Sequence, residues 1–162
     1  MTRPLDTLKL CVAHYWRGYS SDGQRMPLHW ALFLISNATP QSLDESKSGR
    51  ESADGANHLG TCYQAIGNID TFAYSETEEC MEILADEYRG CLPLGDINAS
   101  RLVEVAGLMQ QVMVHRGRED WNCQNWVLAA VEKLKAKGLV ALDVTANGIR
   151  NELEDILREW KS

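Results

Sequence analysis

The sequence predicts an α+β fold, with an antiparallel sheet built from the first part of the chain and helices following it. Short apolar segments separated by polar turns fill residues 8–97, whereas apolar residues recur at helical spacing after residue 98. Strands first and helices late are typical of α+β proteins rather than of alternating α/β ones. With 162 residues, the chain is expected to form a single domain, residues 1–162.

Three apolar runs are predicted strands: Leu8–Tyr15 (LKLCVAHY), Leu28–Ser36 (LHWALFLIS) and Thr61–Ile66 (TCYQAI). The second is the most continuously hydrophobic, as expected of a strand covered on both faces. A further short segment, Thr71–Tyr74, is predicted to pair back on the third strand as a hairpin.

The segment Asn37–Leu59, between the second and third strands, is rich in Ser, Asp, Glu and Gly and almost free of large apolar residues. We therefore expect a long, flexible surface loop there. Further along, Glu82–Tyr88 and Arg89–Ile97 are interpreted as strands, broken by glycine at 90 and 95 and by proline at 93.

The first predicted helix starts at a capping residue, Asn98 or Ser100, and runs to about Val114. Its apolar residues recur at helical spacing, which predicts that they face the core. These residues are Leu102, Val103, Ala106, Met109 and Val112.

Two more helices are predicted after a charged loop at 115–120. One runs from about Asn122 to Lys137, where three lysines suit the helix dipole and Gly138 ends it. Its buried stripe is Trp126, Val127, Ala130, Val131 and Leu134. The other, about 146–160, has the apolar seam Ile149, Leu153, Ile156 and Leu157.

Charge and composition exclude several classes of function. The net charge of −7 repels phosphate backbones and anionic lipid, so we expect no nucleic-acid partner. No apolar run has the length of a membrane span, and the N-terminal residues do not form a secretory signal, so no integral membrane segment is expected. The expected partner is a small-molecule or peptide substrate, and the acidic surface favours a neutral or cationic one.

The five cysteines are scattered along the chain without a CxxC pair. Neither a disulfide framework nor a zinc site is indicated, so we expect reduced thiols, a cytoplasmic protein, and neither cofactor nor bound metal. Four of the cysteines are interpreted as structural: Cys11, Cys62, Cys80 and Cys91.

Cys123 differs from the other cysteines because it lies at the predicted start of a helix. There the unpaired N–H groups and the helix dipole favour a thiolate and can stabilise an oxyanion. A cysteine nucleophile also needs an imidazole. His29, at the entrance of the most buried strand, is the candidate, since a strand would hold its ring rigidly; His58 and His115 are expected to be exposed to solvent.

Three short motifs in this order resemble those of known thiol enzymes. They are a histidine starting an apolar strand (HWALFLI), a polar residue on the next strand (YQAIG), and an Asn-Cys helix start (NCQNWV). They resemble the circularly permuted branch of the papain-like, NlpC-type enzymes, including lecithin:retinol acyltransferase-like proteins and PPPDE isopeptidases. The order HW…YQxxG…WNCQxWV is also similar to that of a group of small, largely uncharacterised fungal proteins. The resemblance covers about residues 8–140.

The resemblance implies a papain-like fold in which an antiparallel sheet packs against the late helix bearing Cys123. It implies that Cys123 is the nucleophile, His29 the base and Gln64 the residue that orients the imidazole. The acyltransferases carry histidine at the third position, whereas this chain carries glutamine, whose carbonyl can still accept a hydrogen bond from the ring. Gln124 and Tyr63 are further polar candidates.

These residues lead to the hypothesis of a cysteine-dependent hydrolase or acyltransferase acting on an amide, ester or thioester. The alternative is a non-catalytic small-molecule or protein-binding module, or an isomerase or cyclase, on the same fold. Under the alternative, Cys123 is a packing residue. His29 would then bond to a backbone carbonyl, and Gln64 would be structural.

Overall fold

A computed structural model describes residues 7–36 and 58–160. Its five strands are β1 (Thr7–Tyr15), β2 (His29–Ser36), β3 (Leu59–Ile66), β4 (Ala73–Cys80) and β5 (Tyr88–Asn98). Its three α-helices are α1 (Leu102–Gln110), α2 (Cys123–Ala136) and α3 (Ala146–Glu159). The loop expected at Asn37–Leu59 lies outside the described residues, except that Leu59 already belongs to β3.

The strands form one antiparallel sheet in the order β4-β3-β2-β1-β5. The predicted α+β class and the antiparallel sheet are therefore confirmed. β2 is flanked by β1 and β3, which explains why its sequence is almost continuously hydrophobic, with six of its eight residues buried.

Alternation along the strands separates two apolar layers. Even-numbered residues of β1 and β2, such as Leu10 and Leu32, join the main core with the helices. Odd-numbered residues, such as Cys11 and Phe33, form a smaller core on the opposite face with Met81. The two faces matter for the site, because its side chains come from both.

The edge strands differ most from the sequence prediction. The hairpin with β3 is present, but β4 runs from Ala73 to Cys80, beyond the predicted Thr71–Tyr74. Its glutamates remove the apolar alternation by which a strand is recognised in a sequence. Charged residues are nevertheless usual on an edge strand, because they discourage pairing with another strand. β5 tolerates Pro93 because it too is an edge.

The strand predicted at Glu82–Tyr88 is wrong. Residues 81–87 form turns, and only Tyr88 belongs to a strand, the first residue of β5. The turns are held by the Glu87 N–H and the Tyr88 N–H, which both donate to the Leu84 carbonyl at 2.9 Å. Such local bonds satisfy the backbone without a neighbouring strand.

The first helix is shorter than predicted, and one residue of its predicted buried face is exposed. Asn98 caps a short 3-10 turn at Ala99–Arg101, and α1 ends at Gln110 rather than about Val114. Met109 and Val112 are buried as predicted, whereas Val103 is 87% exposed. Steps of three and four residues from Leu102 reach the buried Val105 and Met109, so Val103, the residue after Leu102, lies on another side of the helix.

The second and third helices agree more closely with the sequence. All five residues of the predicted α2 stripe are buried, with Cys123 one turn before them. In α3, Ile149 and Leu153 are buried and Ile156 and Leu157 half-buried. In the described parts of the chain, no helix combines the length and apolar character that a membrane crossing requires.

Candidate functional site

The start of α2 positions Cys123. The Asn122 Oδ1 accepts the Gln124 N–H and the Asn125 Oδ1 accepts the Asn122 N–H, both at 2.8 Å, in a reciprocal capping arrangement. Cys123 follows the cap as the first helical residue, where a backbone N–H has no partner within the helix. The cap therefore fixes both the thiol and an adjacent hydrogen-bond donor.

His29 and Gln64 come from neighbouring strands on the same face of the sheet. β2 and β3 pair Leu32 with Tyr63, and continuing that register places Gln64 diagonally beside His29. The His29 Nε2 lies 2.6 Å from the Gln64 Oε1. An amide oxygen can only accept, so Nε2 carries the hydrogen and Nδ1 is the nitrogen left for another partner.

The other neighbour of His29 is Cys123, whose thiol is close enough to the His29 ring for each group to shift the pKa of the other. Folding thus brings the three predicted residues into one chain of contacts, Cys123 to His29 to Gln64. Rather than bonding to a backbone carbonyl, His29 lies between the thiol and the amide. His14 is the histidine that meets a carbonyl, with its Nε2 3.0 Å from the Arg89 oxygen.

The pKa values of the pair shift in opposite directions. Burial favours the neutral thiol, but the hydrogen bond and charge of His29 and the backbone N–H of Trp30 outweigh it and lower the pKa of Cys123. Burial also disfavours the imidazolium, but contact with Cys123 and then with Gln64 raises the pKa of His29 above its ordinary value. Both shifts favour a thiolate beside an imidazolium.

Two cavities meet at this pair. One, of about 360 Å³, borders His29 and Gln64 and has Ile66, Ile83 and Leu84 along its wall. The other, of about 230 Å³, borders Cys123. Although Cys123 is only 2% exposed, it lines this second cavity.

The Cys123 cavity has a mainly apolar wall. Phe72 and Trp121 meet edge to face with their ring centroids 5.3 Å apart, and His115 packs against the other side of Trp121. Trp121 thus lines the Cys123 cavity. His115 and His58, both expected to be exposed, are half-buried. The His58 Nδ1 lies 2.6 Å from the Glu82 carboxylate.

The remaining polar candidates lie elsewhere. The Gln124 Nε2 donates to the Leu28 carbonyl at 2.9 Å, and its side chain borders a third cavity that also holds His14 and Arg150. Tyr63 is buried in the main core. Among residues 7–36 and 58–160, no three His, Cys, Asp or Glu side chains are grouped as metal ligands would be.

Sequence reasoning missed two features. Cys91, interpreted as structural, has its pKa lowered by the neighbouring Cys11 thiol and by Tyr88, against the effect of burial, while the Cys11 thiol itself donates to the Met81 Sδ at 3.8 Å. The second feature is Arg17, which borders both cavities at the Cys123–His29 pair. No local pattern could have selected either residue. Cys11 is 80 residues from Cys91, and the cavities that Arg17 borders are lined by residues from distant parts of the chain. All five cysteines are free thiols.

The structure therefore defines an antiparallel α+β protein in which a thiol, an imidazole and an amide are clustered. The chain belongs to a family described as "Family of unknown function (DUF6540)", which matches residues 18–141. The match contains His29, Gln64 and Cys123 and ends before α3. No curated protein and no solved structure matches the chain.

Proposed function

We propose that this protein is a cysteine-dependent hydrolase or acyltransferase with a papain-like, permuted NlpC-type fold. One observation carries the proposal: Cys123, at a capped helix start, lies beside His29, which lowers the pKa of its thiol and whose Nε2 lies 2.6 Å from the Gln64 oxygen. A thiol, an imidazole and a neutral residue that orients it are the parts that cysteine catalysis requires.

The reaction proceeds in two steps. The Cys123 thiolate attacks the carbonyl carbon of an amide, ester or thioester, and the Cys123 N–H stabilises the oxyanion. As the bond to the leaving group breaks, the His29 imidazolium gives that group its proton, which leaves a thioester on Cys123. Water, or an amine in a transferase, then attacks the thioester while His29 takes the proton, and Cys123 leaves as the thiolate.

Gln64 supports both steps through His29. Its oxygen accepts from Nε2 and keeps Nδ1 directed at the sulfur, so the ring need not rotate between accepting and donating a proton. A neutral amide stabilises the imidazolium less than a carboxylate would, but the thiolate itself supplies a negative charge to the pair. A reducing, cytoplasmic environment would keep Cys123 in the thiol form that this chemistry needs.

Site-resolved alkylation tests the proposal. Iodoacetamide should modify Cys123 at neutral pH faster than Cys11, Cys62 or Cys80, as measured by peptide mass spectrometry. His29→Gln should slow this reaction at least tenfold, because the imidazole charge that favours the thiolate is lost. The matched control is His115→Gln, which removes an imidazole that contacts Trp121.

A second measurement separates catalysis from mere reactivity. Activated 4-nitrophenyl esters should acylate Cys123, visible in the intact mass, and the thioester should then hydrolyse at a rate that depends on His29. If the five thiols react at rates that follow exposure alone, or if His29→Gln changes nothing, the site is not a thiol catalyst and the binding-module alternative stands.

A further inference from the structure

Arg17 is a cation that lines the candidate site and has no hydrogen-bond or ion-pair partner among residues 7–36 and 58–160. It follows β1 and borders both the cavity at His29 and the cavity at Cys123. Its positive charge acts on both residues, since it lowers the pKa of the Cys123 thiol and opposes protonation of His29. Its guanidinium is therefore within electrostatic range of the reacting atoms.

The side chain of Arg17 has no hydrogen bond or ion pair with any residue in 7–36 or 58–160, which sets it apart from the other arginines there. For example, Arg25 pairs with Glu154, Arg118 with Asp120 and Arg158 with Asp155. Guanidinium groups bind carboxylate and phosphate oxygens in a planar, two-bond geometry. An arginine left unpaired beside a nucleophile has that capacity available for a substrate.

The backbone around Arg17 is fixed although its side chain is exposed. The Trp16 N–H donates to the Glu87 carbonyl at 2.7 Å, and the Met26 N–H donates to the Gly18 carbonyl at 2.8 Å. These two bonds lie on either side of Arg17 in the sequence, so its backbone is held in place beside both cavities. Because the backbone is already ordered, less conformational entropy is lost when the guanidinium binds a ligand.

The charges differ between the two cavities. The His29 side has Glu79 and Glu87 opposite Arg17, whereas the Cys123 side has Arg17 and Arg118 with one acid, Glu119. Because Asp120 pairs with Arg118, Arg17 is the arginine of the Cys123 cavity whose charge is not offset by such a pair. With one acid in the Cys123 cavity and two in its neighbour, an anion that binds Arg17 meets less repulsion on the Cys123 side.

We propose that Arg17 binds an anionic oxygen group, a carboxylate or phosphate, on the acyl part of the substrate, which occupies the apolar Cys123 cavity. This inference rests on the proposed function. It differs from the expectation drawn from overall charge, which favoured neutral or cationic substrates, because Arg17 places a positive charge near Cys123. Arg17 is a specificity residue and touches the substrate, not the sulfur.

Paired alkylating reagents test this without knowledge of the substrate. Iodoacetate carries a carboxylate and iodoacetamide a neutral amide, and both form the same carbon–sulfur bond with Cys123 as iodide leaves. The ratio of their rate constants at Cys123 cancels any change in the thiolate fraction. At low ionic strength Arg17→Gln should lower the iodoacetate-to-iodoacetamide ratio roughly three- to tenfold, as expected for one charge within several ångströms.

Three controls sharpen the result. Arg17→Lys should retain most of the ratio, because it keeps the charge. Arg118→Gln should change it little, because Asp120 already neutralises Arg118. High salt should reduce the wild-type ratio towards that of Arg17→Gln.

The outcomes distinguish the two proposals. If iodoacetamide reacts fast with Cys123 in a His29-dependent manner but Arg17→Gln leaves the ratio unchanged, anion binding by Arg17 is wrong and the thiol enzyme stands. An equal fall in Arg17→Gln and Arg118→Gln would mean that general surface potential, not Arg17, attracts the anion. If neither reagent reacts with Cys123 faster than with the buried Cys11, both proposals fail.

Discussion

Replacing Gln64 by methionine tests whether the Gln64 side chain orients the His29 ring. Methionine has nearly the same length and removes only the oxygen that accepts from the His29 Nε2 at 2.6 Å. A hydrogen bond to a charged group contributes about 1.5–3 kcal/mol. Because Gln64 is half-buried, water can replace part of the lost hydrogen bond in the variant. We therefore expect the imidazolium to lose about 1.4 kcal/mol of stabilisation, which lowers the ratio of the thiolate–imidazolium pair to the neutral pair about tenfold.

The sign of the effect follows from the pair. The pKa of Cys123 is lowered by its contact with His29, so the thiolate is present above that lowered pKa and is lost as pH falls through it. A less stable imidazolium in Gln64→Met shifts the alkylation profile towards higher pH. On the rising part of the wild-type profile, iodoacetamide should therefore modify Cys123 about tenfold more slowly.

The assay is the pH profile of the rate constant at the Cys123 peptide. Gln110→Met, the same change at an exposed residue ending α1, is the matched control and should coincide with wild type. Coincident profiles for Gln64→Met and wild type, alongside a displaced profile for His29→Gln, would refute the orienting role of Gln64 while leaving the Cys123–His29 pair intact.

Three further predictions concern stability and the other thiols. Gly60→Ala should lower the free energy of unfolding by about 3 kcal/mol or more in denaturant titrations, since its Cβ would lie 2.2 Å from the Leu34 carbonyl oxygen; Gly107→Ala, in open space on α1, should instead raise it by about 0.5–1 kcal/mol. A loss for Gly60→Ala no larger than that of an ordinary surface substitution would contradict the close β2–β3 approach. Asn122→Ala should cost about 1 kcal/mol through the lost cap, whereas Asn122→Asp should keep the cap but slow alkylation of Cys123 by placing a negative charge beside it; equal alkylation in Asn122→Asp and wild type would show that the cap does not influence the thiolate. Cys11→Ala should slow iodoacetamide modification of Cys91 and leave Cys123 unchanged, because the Cys11 thiol is the main cause of the lowered pKa of Cys91; an unaltered Cys91 rate would show that the Cys11 thiol does not favour the Cys91 thiolate.

Local patterns in the sequence were enough for much of the fold. β2 and α2 were predicted nearly to the residue because a buried strand and a capped amphipathic helix each have a short-range signature. β4 and the turns at 81–87 were not, since an acidic edge strand lacks apolar alternation and a turn rich in apolar residues imitates a strand. In α1 the apolar Val103 is exposed, because an apolar residue next to Leu102 cannot share its face of a helix.

By itself, the sequence determined which residues could carry cysteine chemistry, because an Asn-Cys helix start and a histidine at a strand entrance can be recognised within a few residues. Only the tertiary structure decided that the two meet, since their contact joins positions 94 residues apart and depends on how α2 docks against the sheet. It also decided that Arg17 has no ion-pair partner within residues 7–36 and 58–160. Charge pairing depends on distance in space, and whether Arg17 has an acidic neighbour cannot be known until the whole chain is folded around it.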